Sequence, residues 1–247
     1  MKKSLNAFHL KVIAIIAMLI NHIVHGFDVS KPFYIFGLVI GKLTFPIMAF
    51  LLLEGYKHTR NVKRYMGRLA IFWLISVVPF HLYFVYSPEY PLSNGIFTLF
   101  NNIFFTLLMG LMLIYFCENK KRRIPEIILV IIFALLTTFS DWGQIGVLII
   151  YGFYKSKTQK SKAIFVPLIS ALLVTAILSP AYFSAASIAD KSSVLIEILS
   201  FLGVLLNIPL LLAYNGERGP STPLIKWGFY IFYPLHLMIL YIISLLI

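Results

Sequence analysis

The sequence predicts an all-α fold: a polytopic membrane bundle of about nine transmembrane helices, with the N-terminus in the cytoplasm and the C-terminus outside. The first observation behind this prediction is composition, since 60% of the 247 residues are hydrophobic, 12% are charged and the mean hydropathy is +0.90. About a quarter of the residues of a soluble domain are charged. Because each crossing takes about 20 apolar residues, spans use nearly the whole chain. We therefore expect one integral-membrane domain over residues 1–247.

The second observation is a series of nine apolar runs separated by charged clusters. They lie near residues 8–26, 33–55, 66–86, 97–117, 124–139, 142–155, 163–184, 193–213 and 227–246. The first run follows "MKKSLNAF" without a small-residue cleavage site, so it predicts an anchor that stays and not a signal peptide. The fifth and sixth runs are short. They either cross as a tight pair around "SDWG" or form a re-entrant hairpin, and both arrangements fit their length.

The third observation is that every second loop is basic. Basic residues group at the start of the first helix and after the second, fourth, sixth and eighth: Lys2, Lys3, Lys11; Lys57, Arg60, Lys63, Arg64, Arg68; "KKRR" at 120–123; Lys155, Lys157, Lys160, Lys162; Arg218, Lys226. Eighteen of the 21 basic residues thus fall on one side, which the positive-inside rule assigns to the cytoplasm. The net charge of +12 is a topology signal and predicts no nucleic-acid partner.

Motifs for metal or nucleophilic chemistry are missing from the sequence. Cys117 is the single cysteine, and there is no Gly-rich phosphate loop, zinc-type histidine pair or clear internal repeat. We expect no metal. The informative residues are polar groups inside spans, which are functional or make interhelical hydrogen bonds. They are Asn21, His22, His25, Lys42, His81, Asn101, Asn102, Glu197 and His236.

Lys11 and His22 are eleven residues apart on the first predicted helix. On an α-helix this spacing puts both on one face, separated by roughly 16 Å along the axis. A cation at the cytoplasmic mouth suits an anionic donor, and an imidazole deeper in the membrane suits a general base. The spacing fits a donor with a charged head and a long reactive arm.

Four segments, "LKVIAIIAMLINHI", "IGKLTFPIMAFLLLEGYKHTRNVKRYMGRL", "YNGERG" and "FYIFYPLHL", together resemble the TraX family of conjugal-transfer membrane proteins. The likeness is strong over the first 68 and last 35 residues and weaker between them. N-acetylation of pilin is the family's founding activity, which implies acetyl-CoA as donor. The Lys-x10-His spacing is also similar to the Arg-x10-His of membrane acyltransferase-3 proteins. The resemblance assigns donor binding to Lys11 and catalysis to His22.

Two positions depart from the family pattern, which has Asp before this histidine and Arg where this chain has Lys42. Asn21 accepts a hydrogen bond but cannot neutralise a buried cation. If Asn21 is natural, Lys42 has co-adapted to it; if it was introduced, it cripples the protein. We predict that Lys11, His22 and Lys42 line one polar tunnel with His22 at the reaction centre.

The cytoplasmic motifs suit coenzyme A. Cations of "EGYKHTRNVKR" are candidates to hold its phosphates, and glycines in "YNGERGP" permit close backbone approach. The candidates are Lys57, His58, Arg60, Lys63 and Arg64 in the first motif and Asn215, Gly216, Arg218 and Gly219 in the second. Glu54 is grouped with this donor site, where we expect it to pair with Arg64, Arg68 or Lys11. His236 follows a helix-kinking proline and is a second catalytic candidate.

Together these features favour an acetyltransferase in the bacterial cytoplasmic membrane that uses acetyl-CoA. The acceptor is a hydroxyl or amine of a peptide, glycan or polymer, and the sequence does not distinguish these. The alternative is a transporter or a non-catalytic membrane component of a conjugation or secretion system. The lack of an inverted repeat and the small number of intramembrane acids count against a carrier.

Overall fold

The computed structural model describes residues 4–84, 99–119 and 123–246, and within these ranges it is helical with no β-strand. The helices are α1 (Ala7–Gly26), α2 (Lys31–Gly41), α3 (Thr44–His58), α4 (Val62–Phe84), α5 (Ile103–Glu118), α6 (Glu126–Leu136), α7 (Gly143–Lys155), α8 (Gln159–Ser184), α9 (Ile188–Phe201), a 3-10 helix (Leu202–Leu206), α10 (Asn207–Leu212) and α11 (Pro223–Ser244). The all-α class is confirmed. The start of the fourth predicted run and Lys120, Lys121 and Arg122 of "KKRR" lie outside the described residues.

Six helical segments of the described chain are long and apolar enough to cross a membrane. They are Ala7–Gly26, Lys31–His58, Val62–Phe84, Gln159–Ser184, Ile188–Leu212 and Pro223–Ser244. Large apolar side chains cover their outer surfaces; Ile71 and Leu74 on α4, for example, are 56% and 58% exposed. Helices α5 and α6 are apolar but shorter. The count of nine spans and the orientation of the termini remain predictions.

Two of the predicted helices are interrupted. The second divides into α2 and α3 at Lys42 and Leu43, and the eighth passes from α9 through the 3-10 helix into α10. Proline is the local cause in both places, because it has no N–H for the carbonyl four residues earlier. Pro46 leaves the carbonyl of Lys42 without its usual helical partner, and Pro209 does the same for Leu205.

The described chain forms two compact units. The first comprises Met1–Met48 and Ser156–Gly219, and the second comprises Ala49–Lys155 and Pro220–Ile247.

In the first unit, α1 and α2 pack closely through two glycines of α2. A Cβ at Gly37 would lie 2.5 Å from a methyl group of Val24, and one at Gly41 would lie 2.4 Å from the amide of Asn21. Glycines four residues apart permit this close approach of two membrane helices. The hydroxyl of Thr44 also donates to the carbonyl of Ala14 at 3.2 Å. These contacts fix the register of α1 along α2 and α3.

In the second unit, α5 is buried along most of its length and packs between α4 and α7. Helices α6 and α7 have 11 and 13 residues and form a hairpin, whose open end is closed by the Lys155–Glu126 ion pair at 2.9 Å. At 1.5 Å per residue they are roughly 16 and 20 Å long, shorter than a hydrocarbon core of about 30 Å. Their lengths favour the re-entrant arrangement over two full crossings.

Candidate functional site

The start of α1 is enclosed by the loop that follows α10. Leu5 forms a parallel bridge with Tyr214, and the N–H of Ala7 donates to the carbonyl of Glu217 at 2.9 Å. Asn6 caps the helix by accepting from the N–H of His9 at 3.0 Å. The "YNGERG" loop is therefore attached to the end of α1 that bears Lys11.

This attachment brings two predicted donor-binding cations together. Arg218 lies within electrostatic range of Lys11, so each charge raises the positive potential at the other. The loop is shaped by an Asx turn, in which the side chain of Asn215 accepts from the N–H of Glu217 at 2.9 Å. Its glycines have φ angles of +87° at Gly216 and +70° at Gly219, a region that other residues rarely adopt. The positive end of the helix dipole adds to the same potential.

Gly216 and Gly219 differ in their surroundings. A Cβ at Gly219 would lie 2.7 Å from the side chain of Asn6, whereas nothing lies within 4 Å of one at Gly216. Gly219 thus permits the loop to close against the helix cap. Gly216 leaves an open face beside Arg218 at which a ligand has room to approach the backbone.

His22 lies on the buried face of α1, with Met18 one turn and Ala14 two turns before it, and is 6% exposed. It does not face the exposed side of the helix, where Ile16 is 53% exposed. Lys11 and His22 stay on one continuous helix, so their predicted separation along the axis is kept.

Asn21 has a packing contact that the sequence did not indicate. Its amide nitrogen donates to the carbonyl of Gly37 at 3.2 Å, and its side chain fills the space above Gly41. His25 in turn donates through Nδ1 to the carbonyl of Asn21 at 2.7 Å. Asn21 therefore joins α1 to α2 with a hydrogen that an ionised aspartate lacks.

Lys42 is half-buried at the interruption between α2 and α3. Its ammonium nitrogen lies 5.3 Å from the centre of the Phe201 ring, within cation–π distance. It also follows the carboxyl end of α2, where the helix dipole favours a positive charge. These two interactions stabilise a lysine in a membrane span, and its backbone carbonyl accepts from the amide of Asn207 at 3.2 Å.

The other predicted donor residues lie in the second unit, around the junction of α3 and α4. Glu54 pairs with Lys57 at 2.7 Å, a partner that the sequence analysis did not name. The side chain of Asn61 accepts from the N–H of Arg64 at 2.9 Å and so begins α4. His58, Arg60, Lys63 and Arg64 are exposed. They form a basic surface of the second unit.

His236, the second catalytic candidate, is buried in α11 in the second unit and is 4% exposed. Its Nδ1–H donates to the carbonyl of Phe232 at 2.8 Å, and its ring stacks on Phe232 with the centroids 4.6 Å apart. These contacts orient the imidazole along its own helix.

Sequence reasoning missed two polar residues with structural partners. Asn207 bonds to Lys42, 165 positions earlier, and the guanidinium of Arg68 in the second unit lies over the ring of Tyr65. Pro46 was a signal that the Lys42 carbonyl needs a donor from elsewhere, because its N–H is missing, but it does not identify Asn207 as that donor. Among the residues described, no three His, Cys, Asp or Glu side chains are grouped to hold a metal ion.

These features define a helical membrane protein whose first helix joins a cationic loop at one end to a buried histidine further along. The TraX protein family matches residues 7–244, and the chain belongs to this family. A similar relative is the probable fimbrial assembly protein FimC, serogroup H1, of Dichelobacter nodosus. The two are 29% identical over 241 residues, which cover 95% of this chain and 94% of the relative. No solved structure matches the chain.

Proposed function

We propose that this protein is a membrane-bound acyltransferase that moves an acetyl group from cytoplasmic acetyl-CoA to a hydroxyl or amine acceptor in or across the membrane. One observation carries the proposal: Lys11 and Arg218 lie within electrostatic range at one end of α1, and His22 is buried on the same helix eleven residues further on. Two neighbouring cations attract an anionic ligand. A polyphosphate donor would neutralise both.

In this mechanism Lys11 and Arg218 hold the phosphates of the donor, and Asn215 and Gly216 shape the loop around them. The pantetheine arm then reaches along α1 toward His22. His22 takes a proton from the acceptor as the nucleophile attacks the thioester carbonyl. The new C–O or C–N bond forms, the C–S bond breaks, and coenzyme A leaves as a thiolate that takes up a proton.

Lys42, Asn21 and His236 have supporting roles in the proposal. Lys42 follows Gly41, against which Asn21 packs. Because His22 follows Asn21, Lys42 and His22 lie at the same depth in the membrane. Lys42 would there stabilise negative charge on the reacting carbonyl. Asn21 positions His22 by holding α1 against α2. His236 belongs to the second unit and is proposed as a separate proton-transfer group.

The basic surface of the second unit is a second candidate for phosphate contacts. Arg60 and Arg64 are exposed, and neither makes an ion pair among the residues that the structure describes. Lys57 and His58 lie beside them, and Glu54 holds the Lys57 ammonium in place. The positive-inside rule already accounts for basic residues here, which makes this surface the weaker candidate.

The acceptor that we favour is a pilus or fimbrial subunit at the bacterial cytoplasmic membrane. The relative from D. nodosus is named a probable fimbrial assembly protein, and the TraX resemblance implies acetylation of pilin. The same name supports a second candidate function, a non-catalytic membrane component of pilus assembly. An assembly component or a transporter would need neither the donor site nor His22.

Labelled acetyl-CoA distinguishes these functions. Membranes containing the wild-type protein should transfer label to an acceptor whose mass identifies it, and membranes containing Arg218→Ala should transfer far less at limiting donor. Purified protein should gain thermal stability with acetyl-CoA. If neither transfer nor stabilisation occurs, the acyltransferase proposal fails and the assembly function stands.

A further inference from the structure

We propose that Asn207 binds the acceptor: its side-chain oxygen accepts a hydrogen bond from the N–H or O–H group that receives the acetyl group. This inference rests on the proposed function and names a residue that neither the sequence motifs nor the family resemblance assigns. Asn207 lies in the first unit, where the two interrupted helices meet.

The hydrogen bonds of Asn207 determine which way its side-chain amide points. Its nitrogen donates to the carbonyl of Lys42 at 3.2 Å and to the carbonyl of Val204 at 2.9 Å. Both neighbours are acceptors, so the nitrogen must face them and the oxygen must point elsewhere. The first of these bonds replaces the one that Pro46 cannot make.

Several buried side-chain atoms of the second unit also lack a hydrogen-bond partner, but among the described residues of the first unit only the side-chain oxygen of Asn207 does. Asn207 is fully buried, and its Oδ1 has no hydrogen-bond partner within residues 4–84, 99–119 and 123–246. Buried polar atoms nearly always have a partner, because an unpaired one loses its bonds to water without replacement. A hydrogen-bond donor from outside the chain would satisfy it.

The backbone around Asn207 supports a binding site. A Cβ at Gly203 would lie 2.2 Å from the carbonyl oxygen of Val39, so the 3-10 helix and α2 touch through their backbones. Lys42 is eleven residues into the Lys31–His58 segment, roughly 16 Å from its start. Irregular backbone at such a depth is tolerated where it is covered by protein or lines a cavity, and interrupted membrane helices commonly hold ligands there.

The same level of the membrane contains the proposed base. Asn21 on α1 packs against Gly41 on α2. His22 directly follows Asn21 in the sequence, and Lys42 directly follows Gly41. An acceptor held by Asn207 would therefore lie in the layer of the first unit that contains the imidazole. The acceptor group would donate one hydrogen to Asn207 and lose the proton taken by His22. A primary amine or a hydroxyl with a bridging water meets both demands.

The test uses the full-length protein in nanodiscs and two pairs of probes that enter the apolar membrane interior. Benzyl alcohol and anisole are isomers, of which only the alcohol has an O–H. Aniline, neutral at pH 7, has N–H groups, and N,N-dimethylaniline has none. The difference in thermal midpoint within each pair reports a hydrogen bond from the probe, and the two pairs separate a hydroxyl site from an amine site.

The variant is Asn207→Ser, whose hydroxyl can still bond to Val204 in the way that Ser200 bonds to the carbonyl of Glu197 at 2.8 Å. The matched control is Asn102→Ser in the second unit. Asn102 is also fully buried, but its oxygen already accepts from the N–H of Phe104 at 3.2 Å. Both variants remove a buried amide, and only one removes the unpaired oxygen.

In wild type and Asn102→Ser, we expect benzyl alcohol to raise the thermal midpoint more than anisole, or aniline to raise it more than N,N-dimethylaniline, or both. In Asn207→Ser, we expect the two probes of each pair to give the same midpoint. Equal midpoints within both pairs for wild type would overturn the proposal, whether or not the variants fold. A difference that persists in Asn207→Ser would also overturn it. Because these readouts need no acetyl-CoA, a probe difference without transfer would leave the Asn207 site standing and refute the acyltransferase function alone.

Discussion

The amide nitrogen of Asn21 donates a hydrogen bond to the carbonyl oxygen of Gly37 at 3.2 Å, across the interface between α1 and α2. An aspartate at position 21 would place a second acceptor against that carbonyl unless it were protonated. The family pattern has Asp at this position, but the hydrogen bond to Gly37 on α2 requires the amide of Asn21. The packing of α1 on α2 in this protein therefore favours Asn at position 21.

Asn21→Asp should therefore lower stability by about 1–3 kcal/mol, the usual effect of leaving a buried polar group without its partner, and should not raise activity. Thermal unfolding in detergent measures the first effect and labelled acetyl transfer the second. Asn21→Ala, which removes the donor without adding charge, should be the milder change. A gain of activity in Asn21→Asp would mean that the carboxylate meets a cation and that Asn21 blunts the site.

Gly203→Ala tests the contact between the 3-10 helix and α2. The added Cβ would lie 2.2 Å from the carbonyl oxygen of Val39, so the backbones must separate, and we expect a loss of about 1–3 kcal/mol. The control is Gly228→Ala on α11, where nothing lies within 4 Å of the new Cβ. That change should be neutral or stabilising by up to about 1 kcal/mol, since alanine favours a helix. Equal midpoints for the two variants would contradict the close packing.

Removing either member of the Lys11–Arg218 pair should weaken binding of the donor. Lys11→Ala and Arg218→Ala each lose a charge-assisted contact of roughly 1.5–3 kcal/mol, which weakens affinity for acetyl-CoA about tenfold or more. Calorimetric titration of the variants with acetyl-CoA measures this effect.

Lys191→Ala is the control for this pair, because Lys191 is an exposed lysine on α9 of the same unit. It should leave donor affinity unchanged. If Arg218→Ala also leaves donor affinity unchanged, the "YNGERG" loop does not contact the donor.

The features predictable from sequence were those set by local composition. Each apolar run became a helix because burial in lipid depends on the residues of that run alone. The interruption at Lys42 had a local cause in Pro46, yet the hydropathy of the run concealed it. The partner that stabilises the interruption, Asn207, is 165 positions away, and no local pattern identifies such a partner.

In the candidate site too, local features were predictable from the sequence and long-range contacts were not. The placement of Lys11 and His22 on one face follows from helix geometry and was predictable. The approach of Arg218 to Lys11 depends on the bridge between Leu5 and Tyr214, a long-range contact without a sequence signature. Glu54 pairs with Lys57, one helical turn away, whereas the sequence analysis had looked to more distant cations.

Cysteine labelling tests the topology in a Cys117→Ser background, since Cys117 is the single native cysteine. Arg60→Cys and Lys157→Cys lie in basic segments and should react with an impermeant reagent only after the cells are opened. Gln144→Cys, in the first turn of α7 beside the connection to α6, should not react from outside, because helices of 11 and 13 residues are too short to reach across. Labelling at position 144 in intact cells would show that the hairpin spans the membrane.

His22→Ala should abolish acetyl transfer while leaving donor binding intact. A general base contributes about 10²–10⁴-fold to rate, and the cations proposed to hold the donor lie roughly 16 Å away along α1. Transfer of labelled acetyl and thermal stabilisation by acetyl-CoA should therefore separate in this variant. The control is His25→Ala on the same helix, whose Nδ1–H bonds to the carbonyl of Asn21 at 2.7 Å and which should retain transfer. If His22→Ala keeps wild-type transfer, or if donor stabilisation is lost with it, His22 is not the base and its burial serves packing.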